Sequence, residues 1–283
     1  MDCGVTMETM ITIEKLRYTY PDGTEVLRGV DLKIGRGERV AVLGPNGSGK
    51  STLFLCLNGV HRATEGRILL EGRPMAYDKK GMLDVRRKVG VVFQDPETQL
   101  FCVDVYQEVA FGPHNLGYGK QQVHDSVMKS LDAMDVTELK DRPPHFLSGG
   151  QKKRVTVASV LSMSPQVLLF DEPTAALDPI HARQLMEEID RLNAEGITIL
   201  MATHDVDQAY AWADRAVVLD SGVVRASGTP DEVFCDVKLL EQTGLQTPFV
   251  LRTYRALLRS GRIRGADSPP HTAEELEALI EEV

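Results

Sequence analysis

Cysteine is scarce and scattered: Cys3, Cys56, Cys102 and Cys235 are the four in 283 residues, with no C-x-x-C pair and no His-rich spacing beside them. That excludes a disulfide-stapled scaffold and a cysteine zinc site, and it fits a reducing compartment, the cytosol. Long apolar runs are also missing. None approaches the roughly 18 residues a membrane span requires, and residues 1–10 carry Asp2 and Glu8 where a signal peptide would be apolar, so the chain is not expected to cross a membrane itself. No long Lys/Arg block stands out, and 32 basic against 41 acidic residues leave a net charge of −9. Without a basic footprint, no nucleic-acid partner is expected.

What is present is ordinary for a soluble globular protein: 42% hydrophobic and 26% charged residues, in a length that at roughly 150 residues per domain suggests about two domains. Residues 10–20 and 26–34 alternate β-formers on either side of a Pro21-Asp22-Gly23 turn, which predicts two antiparallel strands. Continuous apolar runs at 39–43, 89–93, 166–171, 198–203 and 216–220 read as buried strands. Helical stretches lie between them, such as 180–195 and the one beginning at Lys50, which is an α/β pattern. Residues 96–146 interrupt it with helical sequence such as 121–134 and no buried strand, and are expected to form an inserted helical subdomain.

Three clusters carry chemistry. Gly44-Pro45-Asn46-Gly47-Ser48-Gly49-Lys50-Ser51 fits G-x-x-x-x-G-K-[ST] between a buried strand and a helix, with Thr52 next. Its glycines let backbone N–H groups curl around phosphate at a helix N-terminus; Lys50 is placed for the β- and γ-phosphates and Ser51 for Mg²⁺. Asp171 and Glu172 end an apolar strand where a metal-binding carboxylate and a general base for water are needed. Leu147-Ser148-Gly149-Gly150-Gln151 opens a helix, and its hydroxyl and exposed N–H groups make a second anion site.

Taken in order, these motifs resemble the ATP-binding cassette (ABC) ATPases over residues from about 10 to 235. The resemblance implies a P-loop (RecA-like) α/β core with an antiparallel β subdomain and the helical insertion, a nucleotide-binding domain over 1–236, and a small C-terminal helical extension over 237–283. It implies ATP and Mg²⁺ as cofactors, with Ser51, Gln94 and Asp171 around the metal and Glu172, His204 and Gln94 serving hydrolysis. It further implies that Ser148 and Gly150 of one subunit close on the γ-phosphate held by Lys50 of a second ATPase subunit, with Asp178 helping across that interface. A helix-start aspartate is the plainer reading of Asp178. By position Tyr20 looks like the aromatic that stacks on adenine, with Tyr18 a competitor and a buried strand tyrosine the alternative.

Within that group, residues 93–101 and 109–117 resemble the energy-coupling-factor (ECF) ATPases, which serve micronutrient uptake. The implied partners are an integral-membrane scaffold subunit and a substrate-binding membrane subunit, with the ATPase pair, a homodimer or a pair with a paralogue, peripheral on the cytoplasmic face. Glu97 and Gln99 become candidate scaffold contacts, and Gln107 stands where relatives of this type have an acid. Gly150 to Arg154 and Thr203 to Asp207 match the cobalt-uptake type, while nickel or a vitamin stay open. A conventional ABC importer ATPase and a soluble non-transport ABC ATPase are the alternatives. In the tail, Thr272 and Glu275 form a capping box, and Leu276, Leu279, Ile280 and Val283 make a helical stripe that would meet either a second subunit or the chain's own domain.

Overall fold

A computed structural model describes residues 8–266 and 268–281, so Cys3 and Val283 lie outside the described residues. β1 (Thr9–Thr19) and β2 (Glu25–Gly35) pair antiparallel as their alternation predicts. β3 (Arg39–Leu43), buried beyond its first residue, feeds the glycine loop into α1 (Lys50–Leu57). β4 (Glu65–Leu70) and β5 (Arg73–Pro74) then extend the first sheet to the order β2-β1-β4-β5, two strands more than the sequence pattern reveals. The first three residues of β4 are exposed and only Ile68 and Leu70 point inward, which leaves too short an alternation to read.

After α2 (Lys79–Lys88) comes β6 (Val89–Val92). The helical insertion follows, with a 3-10 turn Pro96–Thr98, α3 (Val105–Asn115) and α4 (Lys120–Ala133), and no strand among the described residues of 96–146. α5 (Gly149–Leu161), β7 (Val167–Asp171), α6 (Pro179–Ala194), β8 (Thr198–Ala202), α7 (Val206–Trp212), β9 (Arg215–Asp220) and β10 (Val223–Gly228) complete the second sheet, of order β10-β9-β3-β8-β7-β6. Its five inner and far strands run parallel, and β10 is an antiparallel edge.

Period-two alternation along these strands divides the core in two. Ala41, Leu43, Leu168, Phe170, Ile199 and Met201 face the helices of the insertion, α5 and α6. Val40, Val42, Val167, Leu169, Leu200 and Ala202 face α1 and the antiparallel sheet. Each fully buried aliphatic side chain contributes about 1.5–3 kcal/mol relative to exposure, so this two-sided burial anchors the strand ends where the loops must be held still.

The tail continues as α8 (Pro230–Cys235), α9 (Val237–Thr243), α10 (Phe249–Arg259) and α11 (Ala273–Glu281). Tyr254, Ile263 and Leu276 form a small core of their own with Leu279 against it, while Ile280 is exposed. The stripe thus divides: Leu276 packs within the tail and Ile280 does not. His271 stacks on Tyr210 of α7 with ring centroids 4.4 Å apart, and Asp231 binds both the Tyr210 hydroxyl (2.8 Å) and His271 Nε2 (3.2 Å). Among the described residues, no helix is long and apolar enough to cross a membrane.

Candidate active site

Four parallel strands end at one edge of the second sheet, and the loops leaving them line a single cleft of about 1060 Å³. β3 delivers residues 44–52, β6 delivers Gln94, β7 delivers Asp171 and Glu172, and β8 delivers His204. The glycines of the first loop are there for steric reasons. Gly44 has φ +147°, and a Cβ on it would lie 1.9 Å from the Leu219 carbonyl oxygen. Gly49, at φ +107°, is the residue before α1 and offers no side-chain cap, so the first-turn N–H groups of that helix are left to a ligand.

Lys50 is 7% exposed, and its Nζ donates to the carbonyls of Gly44 (2.7 Å) and Pro45 (3.1 Å) of its own loop. Burial pushes its pKa below the usual lysine value, and the Glu172 and Asp171 carboxylates act in the opposite direction. Ser48 Oγ is buried with no hydrogen-bond partner in the same loop. An orphaned hydroxyl, uncapped N–H groups and a buried ammonium form a cradle suited to phosphate oxygens.

Glu172 follows β7 at φ +48°, a left-handed conformation that a non-glycine residue adopts at some cost. Its N–H donates to the Ala202 carbonyl (2.9 Å), and its Oε2 lies 2.8 Å from His204 Nδ1. The acid is largely covered while the imidazole is open to solvent. A neutral ring that donates from Nδ1 to the carboxylate has no hydrogen on Nε2, so the pair must part, or the ring gain a proton, before Nε2 can donate to a phosphate.

Ser51, Gln94, Asp171 and Glu172 supply oxygen ligands of the kind Mg²⁺ takes, facing the same cleft as Lys50. They are a hydroxyl, an amide and two carboxylates. Among the described residues no group of three or more His, Cys, Asp and Glu could hold a metal ion, as expected where hydroxyl and amide oxygens share the load.

The remaining predicted residues lie elsewhere. Tyr18 is buried and stacked on His61 at 4.6 Å, whereas the Tyr20 hydroxyl lies 3.2 Å from Thr52 Oγ1, which leaves Tyr20 the tyrosine next to the phosphate loop. None of Leu147, Ser148, Gly149, Gly150 and Gln151 lines the cleft. Ser148 caps α5: its Oγ accepts from Gln151 N–H (3.3 Å), and Gln151 Oε1 accepts from Ser148 N–H (3.0 Å). Asp178 caps α6 by accepting from Ile180 and His181 N–H at 3.0 Å each, and its Oδ2 meets His181 Nδ1 at 2.6 Å. The hydrogen bonds from His181 hold its carboxyl below the usual carboxylate range.

Sequence reasoning, which noted residues 205–207 only within the stretch that resembles the cobalt-uptake type, did not place several neighbours in the cleft. Asp205, Val206 and Asp207 line the cleft, as do residues 243–246 of the tail, and Asp207 accepts from the N–H of Phe249 at the start of α10. Nothing in the spacing connects positions forty residues apart. Gln99, expected on a docking surface, turns inward to accept from Phe93 N–H (3.1 Å) and donate to the Val91 carbonyl (3.2 Å). Beside Gln107, where an acid is expected, buried Glu108 accepts from the N–H groups of Phe101 (2.8 Å) and Cys102 (2.7 Å).

The family model described as ABC transporter matches residues 27–175, which takes in the phosphate loop, residues 147–151, and Asp171 with Glu172. The chain belongs to the ABC transporter family. It is an ATP-binding, ATP-hydrolysing member with the ABC ATPase fold. The energy-coupling factor transporter ATP-binding protein EcfA of Methanocaldococcus jannaschii is 45% identical over 254 residues, covering 90% of this chain and 91% of that protein. An ABC transporter ATP-binding protein of Methanosarcina mazei is 46% identical over 262 residues, 92% of this chain, and this chain spans 58% of its length. Among solved structures, cbiO1 of Clostridium perfringens, part of the ABC transporter complex cbiONQ, superposes with a TM-score of 0.75 at 41% identity, covering 89% of this chain and 99% of that one. The resemblance to ECF-type ATPases read from the sequence is matched by the EcfA relative.

Proposed function

We propose that this ABC ATPase is the energy-supplying subunit of an ECF importer, working as a pair of copies around two MgATP. The observation that carries the reading is the convergence of Lys50, Gln94, Asp171, Glu172 and His204 on one cleft at the ends of four strands. In this reading the loop N–H groups and Lys50 hold the β- and γ-phosphates, and Tyr20 lies against the adenine. Ser51, Asp171 and Gln94 would hold Mg²⁺, which would supply positive charge against the charge that develops on the phosphates. Glu172 accepts the proton of the water that attacks the γ-phosphorus, and the bond to the β-γ bridging oxygen breaks to leave ADP. His204, released from Glu172, turns its ring to the γ-phosphate.

Residues 147–151 lie outside their own cleft, and this supports their use on the ATP of a second copy, with Asp178 at the joint. The nucleotide-binding domain then spans 1–236 and the helical extension 237–283. The pair is peripheral on the cytoplasmic face of the membrane, carried there by a scaffold subunit and a separate substrate-binding membrane subunit. Cobalt ion is the proposed cargo, on the resemblance of residues 150–154 and 203–207 to the cobalt-uptake type.

The test is purification from native membranes in mild detergent with identification of the co-purifying proteins by mass spectrometry. A small scaffold subunit together with a distinct substrate-binding membrane protein is the expected result. A conventional permease pair, or soluble partners alone, would refute the ECF assignment while leaving the ATPase chemistry intact.

A further inference from the structure

The run Lys152-Lys153-Arg154 follows residues 147–151, the signature, on α5, and three consecutive basic residues are ordinarily solvated. In the structure Lys153 is 2% exposed. Its Nζ donates to the backbone carbonyls of Phe93 (2.7 Å) and Gln94 (3.0 Å), the two residues that leave β6 for the cleft. Its neighbour Lys152 pairs with Glu97 in the 3-10 turn just beyond. Taken with the inward hydrogen bonds of Gln99, the backbone that presents Gln94 is held from both sides, and the helix that holds it is the one that begins at Ser148.

A lysine is an expensive way to fill this space. An ammonium this deeply buried gives up its hydration, and two backbone carbonyls take the place of water. An apolar side chain of similar volume would serve packing alone as well or better. What an apolar side chain lacks is a pair of donors for two adjacent carbonyls at the root of Gln94.

We propose that Lys153 is a positioning residue for hydrolysis: it fixes the Gln94 backbone so that the Gln94 side chain enters the cleft at the correct depth. It thereby ties the ATP site of one chain to the signature helix that the same chain offers its partner. The inference rests on the reading of Gln94 as a group that orients metal and water.

The experiment compares Lys153→Met, Gln94→Ala and the double variant in the full chain, by ATP hydrolysis and by amide hydrogen exchange of nucleotide-free protein. Lys153→Met should fold, keep the KM for ATP within about threefold and lower kcat by about 10- to 100-fold, the loss typical of a displaced orienting group. Amides of residues 93–99 should exchange faster while those of 44–52 do not change. Lys153→Gln, which restores two amide donors, should recover part of the rate. If Lys153 acts through Gln94, the double variant should be no slower than the slower single one.

Wild-type turnover by Lys153→Met, or a full additional loss in the Gln94→Ala background, would overturn the proposal and leave the role of Gln94 standing. Wild-type turnover by Gln94→Ala would overturn the role of Gln94 and the proposal together. Unchanged exchange at 93–99 would overturn the positioning role whatever the rates.

Discussion

The cleft and the signature end of this chain are built from similar parts and finished differently. Both set a helix N-terminus and glycines where an anion can approach. At the cleft those groups are joined by a buried lysine, two acids, a glutamine and a histidine from four strand ends, within about 1060 Å³. At the signature, Ser148 and Gln151 satisfy each other, Ser148 and Gly149 are exposed, and none of the cleft's charged groups is present. One chain therefore carries one well-furnished cleft and, outside it, one exposed helix N-terminus. The difference is what a head-to-tail pair of copies would use, since each supplies what the other's site lacks.

The sharpest way to separate the regions is to remove one proton acceptor. Glu172→Gln keeps the shape of the strand end and loses the base, so ATP should bind within a few-fold of wild type while kcat falls by about 10³-fold. The variant should also accumulate as a nucleotide-bound dimer, read by size-exclusion chromatography with light scattering. Brisk turnover would remove Glu172 from the role of base.

Much of the cleft could be read from sequence because its residues sit where unmistakable apolar strands stop. Val167 to Phe170 are buried without interruption, so the position of Asp171 at the strand end follows from composition alone. Other features depend on long-range packing. Tyr18 and Tyr20 are two residues apart, their rings meet each other and both meet His61, and only the packed fold leaves the first buried and the second beside Thr52. Lys153 is hidden in a different way. A lysine between a lysine and an arginine looks solvated, and only the return of the Gln94 loop to α5 makes it buried.

A second comparison tests whether the two regions belong to one composite site. Lys50→Ala should weaken ATP binding by about 10- to 100-fold, the loss of a charge-assisted phosphate contact. Ser148→Arg should leave ATP binding to the isolated chain unchanged and abolish turnover of the pair. In a mixture of the two variants, the mixed dimer pairs an intact cleft with an intact signature at one of its two sites, and turnover should return to a fraction of wild type. Absence of rescue in verified mixed dimers would show that cleft and signature do not meet between chains.

The smallest expected effect lies under the signature, in the seam between α5 and α6. Glu188 is 4% exposed, with Arg154 Nε at 3.8 Å, Arg191 nearby, and the like charges of Asp135 and Glu187 against it. Its Oε2 has no hydrogen-bond partner. Burial outweighs the arginines and pushes the carboxyl up to about 7 from 4.5. The folded chain therefore holds this proton up to about pH 7, whereas the unfolded chain releases it near pH 4.5. The unfolded state binds fewer protons in that window, so this group's contribution to stability falls as pH rises through it and stays lost above it. Glu188→Gln keeps the volume and removes the charge. Its melting temperature should match wild type near pH 4.5 and exceed it at pH 8, by an amount corresponding to about 1–3 kcal/mol. A gain that is equal at both values would mean the benefit comes from packing; no gain at pH 8 would mean Arg154 compensates the buried charge in full. Neither result should alter nucleotide binding at the cleft, because the seam supports the helix that leaves Ser148 exposed and touches no group that lines the phosphate site.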